Sequence, residues 1–146
     1  YLRLNYSEEK YRIEAIESTP AYTESRKKIF ENNIILAKGD EVFNDLSAKT
    51  VTTKQDRHPN SGLVSFSEDN YLTDKNKVYR NLTPRECFLL MGFEESQYDT
   101  LMENNFIAKG GQKFLSTSKL VKMAGNSIVV PVLEKIFEQM IEIQEL

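Results

Sequence analysis

Arg80-Asn81-Leu82-Thr83-Pro84-Arg85-Glu86-Cys87-Phe88-Leu89-Leu90-Met91-Gly92-Phe93 carries the clearest folding signal in the chain. Thr83 and Glu86 have the spacing of a capping box, in which the Thr hydroxyl accepts from the third helical amide and the Glu reaches back to the cap amide. Pro84 falls at the first helical position, where its missing N–H costs nothing. Cys87, Leu90 and Met91 follow on one face, and Gly92 supplies the stop. Thr83 and Glu86 are therefore read as structural residues, and Cys87 as a small core residue. Downstream, a short helix is expected over 96–104 and a turn at Gly110-Gly111. Ser118 can cap a helix over Lys119–Met123, broken by Ala124-Gly125-Asn126. A last helix starts at Ser127, tolerates Pro131 in its first turn and carries the apolar stripe Val132, Leu133, Ile136, Phe137, Met140 and Ile141.

Upstream the signals are weaker. Leu2, Leu4 and Tyr6 alternate, as do Tyr11, Ile13 and Ala15, so residues 1–20 read as short strands or loops. Residues 23–37 read as a helix, with Thr23 as cap, a stripe of Ile29, Phe30, Ile34 and Ala37, and Gly39 as stop. Segment 45–62 is polar and irregular, with a β-prone run at Thr50–Thr53 and turn chemistry at Pro59-Asn60-Ser61-Gly62. Leu63–Phe66 is a strand, 67–77 a charged loop and Val78-Tyr79 a brief extended piece. The fold class is α+β: a small irregular domain of short strands, a capped helix and a C-terminal helix.

Composition narrows function by exclusion. The chain has 146 residues, one Cys and one His, 28% charged residues and a net charge of −3. One Cys excludes an internal disulfide framework and a Cys-based zinc knuckle, and His58 alone excludes an HExxH site. GxSxG and P-loop patterns are absent. The longest apolar run, Ile128–Leu133, is far below the roughly 20 residues of a membrane span. No basic-plus-apolar leader opens the chain, so a cytoplasmic, membrane-free setting is expected. The acidic balance provides no global field for nucleic acid, so any DNA contact must come from a local patch.

A second block, Lys119-Leu120-Val121-Lys122-Met123-Ala124-Gly125-Asn126-Ser127-Ile128-Val129-Val130-Pro131-Val132-Leu133, completes a pattern. With block 80–93 it closely resembles motifs X and IX of the prokaryotic DNA (cytosine-5) methyltransferases, written in that family as a-G-N-S-V-x-x-P-V and R-x-L-T-P-R-E-C-x-R-L-M-G-F. The resemblance covers residues 80–93 and 119–133 directly, and 45–66 more loosely, as a target-recognition region. It implies a target-recognition domain over 1–117, organised by the motif IX helix with Arg85 in a structural role, and a motif X segment over 118–146, whose last helix packs on a cofactor domain outside these residues. Double-stranded DNA and S-adenosyl-L-methionine are the implied partner and cofactor, within a restriction-modification setting.

The family's other signatures do not occur in this sequence. Its nucleophile is a Cys in a Pro-Cys pair, whereas Cys87 follows Glu86. The Glu-Asn-Val, Gln-x-Arg-x-Arg and F-x-G-x-G blocks are also absent. In the family a thiolate adds to carbon 6 of an extruded cytosine, and the activated ring then takes the methyl group at carbon 5. The resemblance thus implies a C-terminal part or split-enzyme subunit that needs an N-terminal catalytic domain or subunit, and no methylation by the chain alone. The chain opens at Tyr1 without Met, which fits a trimmed piece or the tail of a longer protein.

Thr50-Val51 resembles the Thr-Leu pair that opens the family's recognition loop. On that resemblance Thr50 contacts the backbone near the extruded nucleotide, and Thr52, Thr53, Lys54, Gln55, Arg57 and Asn60 face the DNA. Lys and Arg suit guanine edges, and Gln and Asn suit adenine edges. Segment 47–62 has a local net charge of +2, although a polar Asn-, Asp-, Pro- and Gly-containing loop is otherwise only a solvated turn. Asn126 and Ser127 resemble the motif X turn at the methionine end of the cofactor pocket, where an amide and a hydroxyl can bond an amino-acid end. Read without the resemblance, Gly-Asn-Ser is helix punctuation. A stand-alone DNA-binding module without a methylation role is the alternative, and it has no use for motif X.

Overall fold

The computed structural model describes residues 4–21, 23–24, 35–38, 41–42, 48–55, 62–66 and 79–144. In chain order the elements are α1 (Glu9–Glu17), β1 (Ile35–Lys38), β2 (Glu41–Val42), β3 (Leu63–Ser65), β4 (Tyr79–Asn81), α2 (Pro84–Leu90), α3 (Glu95–Glu103), α4 (Thr117–Asn126) and α5 (Val130–Gln144). The four strands form one mixed sheet in the order β2-β1-β3-β4. β1 runs parallel to β3, while the β1–β2 and β3–β4 pairs are antiparallel. The chain is an α+β fold, with the helices after the sheet closing over one core.

That core is built from Val51, Val64, Leu82, Cys87, Phe88, Met91, Tyr98, Leu120, Val121 and Ala124. Phe88 is its hub, with ring centroids 5.3 Å from Phe93 and 5.4 Å from Tyr98. Both neighbouring rings are tilted or edge-on to it, the arrangement favoured by the aromatic quadrupole. α2 ends where Gly92 adopts a φ of +85°, a conformation that favours glycine. Beyond α3, Gly110 and Gly111 take φ of +105° and +78° in a turn that brings Ile107 opposite Lys113.

Several expectations are corrected. Residues 9–17 form a helix, not strands. Tyr11 and Ala15 are the buried pair, spaced as neighbours on a helical face, while Ile13, which completed the alternating pattern, is 48% exposed. Residues 35–37, placed in a helix by the stripe, belong to β1; pairing with β3 overrides the local pattern. Residues 25–34 of that predicted helix lie outside the described residues. Thr50–Thr53 is irregular and not a strand. α4 starts at Thr117, with Ser116 at the cap position, and runs through Ala124-Gly125-Asn126 without a break. Ser127 ends α4 instead of opening the last helix, which begins at Val130. Pro131 does sit in that helix's first turn, where the missing amide is tolerated.

Candidate DNA and cofactor interface

The site's frame is the α2 block. Thr83 Oγ1 accepts from Glu86 N at 3.1 Å, and a Glu86 carboxylate oxygen accepts from Thr83 N at 2.8 Å. The same carboxylate takes two guanidinium donors of Arg80, at 2.6 and 2.9 Å. Arg80 spends its other donors on the Tyr6 hydroxyl, at 3.1 and 2.9 Å, and on the Asn81 carbonyl, at 3.0 Å. Arg80 and Glu86 are both fully buried. A buried ion pair is tolerated only when its remaining donors are satisfied in this way. Arg80 had no assigned role in the sequence reading, although it occupies the first position of the motif IX pattern, six residues before the capping Glu.

Arg85 works outward from the same helix. Its guanidinium bonds Glu14 of α1 at 2.8 Å and Asp99 and Glu95 of α3 at 2.6 and 3.2 Å. It also lies over the Tyr98 and Tyr11 rings, at 4.6 and 5.1 Å, where a cation meets the negative π face. Tyr11 in turn donates its hydroxyl to Glu95. One side chain thereby ties three helices together. Partial desolvation raises the Asp99 carboxyl, but hydrogen bonds and charge from Arg85 and Lys10 outweigh it and hold it below the usual value. Cys87 is fully buried. Desolvation, helped by the Glu86 charge, pushes its thiol up to about 12, so it is not a ready thiolate.

The loop before β3 is pinned to this frame. Val51 inserts into the core, while Thr50, Thr52 and Lys54 are exposed and Thr53 is half-buried. Thr52 Oγ1 donates to the Lys54 carbonyl at 2.7 Å, which fixes the turn between them. Gln55 is only 5% exposed and directs Nε2 toward the Thr52 carbonyl, so in this conformation it faces inward. Arg57 and Asn60 lie outside the described residues.

Two glycines bring this loop, α2, α4 and α5 into contact. A Cβ on Gly125 would stand 2.4 Å from the Thr52 carbonyl carbon and 2.5 Å from the Thr53 nitrogen. The loop backbone therefore rests directly on α4, one residue before Asn126. A Cβ on Gly92 would stand 2.3 Å from Pro131 Cδ, and Val130 N donates to the Met91 carbonyl at 2.9 Å, which seats α5 against the end of α2. Asn126 is exposed, and its side chain has no hydrogen-bond partner among the described residues. Ser127 is half-buried and donates to the Ile128 carbonyl at 3.1 Å. An amide and a hydroxyl at a helix end are suitable donors and acceptors for an amino-acid group.

The sequence matches the C-5 cytosine-specific DNA methylase family over residues 3–142. The chain belongs to that family. Among curated relatives, the chain is 38% identical over 65 residues to the type II methyltransferase M2.ScrFI of Lactococcus lactis subsp. cremoris, a match covering 44% of this chain and 15% of the relative. It is 44% identical over 62 residues to the orphan methyltransferase M.SPRI of Bacillus phage SPR, covering 42% and 12%. It is 40% identical over 62 residues to the orphan methyltransferase M.Rho11sI of Bacillus phage rho11s, covering 42% and 10%. The matched part is thus a small share of each relative's length. No solved structure matches the chain. Among its described residues, no helix is long and apolar enough to cross a membrane.

Proposed function

We propose that this chain is the target-recognition and motif X part of a DNA (cytosine-5) methyltransferase, spanning 1–117 and 118–146 respectively, and that the catalytic Cys comes from a domain or subunit outside these residues. The observation that carries this reading is the contact of Thr52 and Thr53 with Gly125. It joins a loop with exposed hydroxyls and a lysine to the helix end that presents Asn126, so one rigid unit serves both DNA and cofactor. S-adenosyl-L-methionine, bound in the assembled enzyme, supplies the methyl group. Asn126 and Ser127 bind and orient its amino-acid end, while Thr50, Thr52, Thr53 and Lys54 engage the duplex. Arg57 and Asn60, from the sequence segment that follows, complete the set, and Gln55 contributes after turning outward. Thr83, Arg85 and Glu86 hold the frame. α5 exposes Val132, Ile136, Phe137, Met140, Ile141 and Ile143, an apolar face suited to docking on the catalytic part.

Cys87 is unsuited to nucleophilic attack, because it is enclosed and protonated at neutral pH. The test mixes the 146-residue chain with the catalytic part of a related cytosine-5 methyltransferase, duplex DNA and labelled S-adenosyl-L-methionine. Methyl transfer is expected only from the mixture, and Asn126→Ala is expected to raise the apparent KM for the cofactor. Transfer by the chain alone that is lost in Cys87→Ser would overturn the assignment.

A further inference from the structure

A cleft of about 950 Å³ opens between the end of α1, the Thr53–Gln55 loop and the first turns of α4. We propose that it binds a phosphate of the DNA backbone, a second anchor beside the exposed Thr50 and Thr52; this rests on the DNA-recognition reading above. Ser18, on the cleft wall, is 7% exposed, and its Oγ has no hydrogen-bond partner among the described residues. Its carbonyl is already committed to Asn81 N at 3.1 Å. The Oγ is closed off in this conformation; a buried hydroxyl left unpaired is costly, and a turn of the side chain toward the cleft would let an entering phosphate oxygen supply the acceptor it lacks.

The opposite wall is the start of α4, a helix of ten residues whose cap residue, Ser116, makes no side-chain capping bond. Its first-turn amides have no intrahelical partner and carry the positive end of the helix dipole, the geometry that receives anions. Ser116, Thr117 and Ser118 add hydroxyls to that wall. Lys54, Lys119 and Lys122 line the cleft against one carboxylate, Glu17. Lys119 is partly engaged, donating to the Phe114 carbonyl at 2.8 Å. Lys54 and Lys122 are exposed, and their ammonium groups have no partner among the described residues. An acidic chain that places three lysines and an orphan hydroxyl around one opening has there the local basic patch that backbone contact requires.

The test follows backbone amides of the full 146-residue chain by NMR during titration with inorganic phosphate, and separately with a short duplex. Both are expected to shift Ser18 and Thr117–Lys119. Ser18→Ala and Lys122→Gln are expected to weaken phosphate binding while leaving the unfolding midpoint in place or higher. Lys122→Gln is further expected to weaken all duplexes alike and to reduce the salt slope of duplex binding by about one. A cleft that responds to phosphate but not to duplex overturns the DNA assignment, and a cleft silent to both overturns the site. Duplex shifts at Thr50 and Thr52 with a silent cleft defeat this inference and leave the recognition reading standing, whereas a duplex that moves neither region defeats both.

Discussion

Gly125→Ala tests the contact on which the functional reading depends. On an exposed helix the change stabilises by up to about 1 kcal/mol, because Ala loses less backbone freedom than Gly. Gly125 is the penultimate residue of α4, so the gain there is smaller. Against it stands the steric conflict: the new methyl lies 2.4, 2.5 and 2.6 Å from three backbone atoms of Thr52 and Thr53. Those atoms must retreat by about 1 Å to reach the 3.4 Å where ordinary contact begins. Backbone atoms cannot swing aside like a side-chain tip, and Val51, buried next to them, moves with the loop. Overpacking of this kind costs about 1–3 kcal/mol. The net expectation is a loss of about 1–2 kcal/mol, or roughly 3–6 °C in midpoint for a domain of this size. Denaturant unfolding measures it, with the slope checked so that the change is in stability and not in denatured-state compactness. Amide shifts should concentrate at Thr52 and Thr53. A variant as stable as the parent or more so, with those amides unmoved, would refute the claim that the loop rests on α4.

Three further outcomes follow from the α2 block. Glu86→Ala leaves the Arg80 charge buried without its partner and is expected to cost about 3–5 kcal/mol, read by denaturant unfolding; a loss below about 1 kcal/mol would mean that solvent or Tyr6 compensates. Cys87 should resist a thiol-specific chromogenic reagent at pH 8 until denaturant is added. Because its thiol is raised from 9.0 to about 12 in the fold, its stability contribution is complete below pH 9 and declines as pH rises toward 12, a loss that Cys87→Ala should reduce. Asp99 is held below 3.8, so its contribution is present above that pH and lost as pH falls through the lower folded value. Asp99→Asn should therefore lower stability at pH 7 and flatten the acid limb of a pH–stability profile.

Local chemistry was legible in the sequence, and long-range packing was not. The Thr83–Glu86 box can be read directly because both partners lie within one turn of each other. The same holds for Gly92, Gly110 and Gly111, which take the positive φ that their turns require. α1 was missed because its buried face is narrow: Tyr11 and Ala15 suffice when Arg85 and Glu14 secure the rest, and a polar helix fixed by an ion pair leaves little apolar period. β1 was missed because its pairing with β3 is distant in sequence and its nearby partner β2 is only two residues long, so Ile35–Lys38 reads locally as the end of an amphipathic helix. Among the residues proposed for function, Gln55 shows the limit most clearly. Its type suits base reading, yet its side chain is folded inward against Thr52.

Gly125 was legible as a glycine but was assigned the wrong purpose. Read in isolation, it is a helix stop; in the fold it lies within α4 and makes room for another segment's backbone. Gly92 combines both roles, ending α2 and accepting Pro131. These contacts explain why the family resemblance concentrates in blocks 80–93 and 119–133. The blocks bind one another: Met91 to Val130 and Gly92 to Pro131, with Cys87 and Ala124 sharing a core. Their two arginines, Arg80 and Arg85, are turned into the protein by carboxylates, so they contribute no cation to a DNA surface. On the proposed reading, contact with the duplex falls to side chains outside the tightest packing: the exposed threonines and Lys54 of the loop, and the lysines of α4 that line the cleft. Such positions can change without disturbing the frame, which is the physical condition for one scaffold to present different recognition loops.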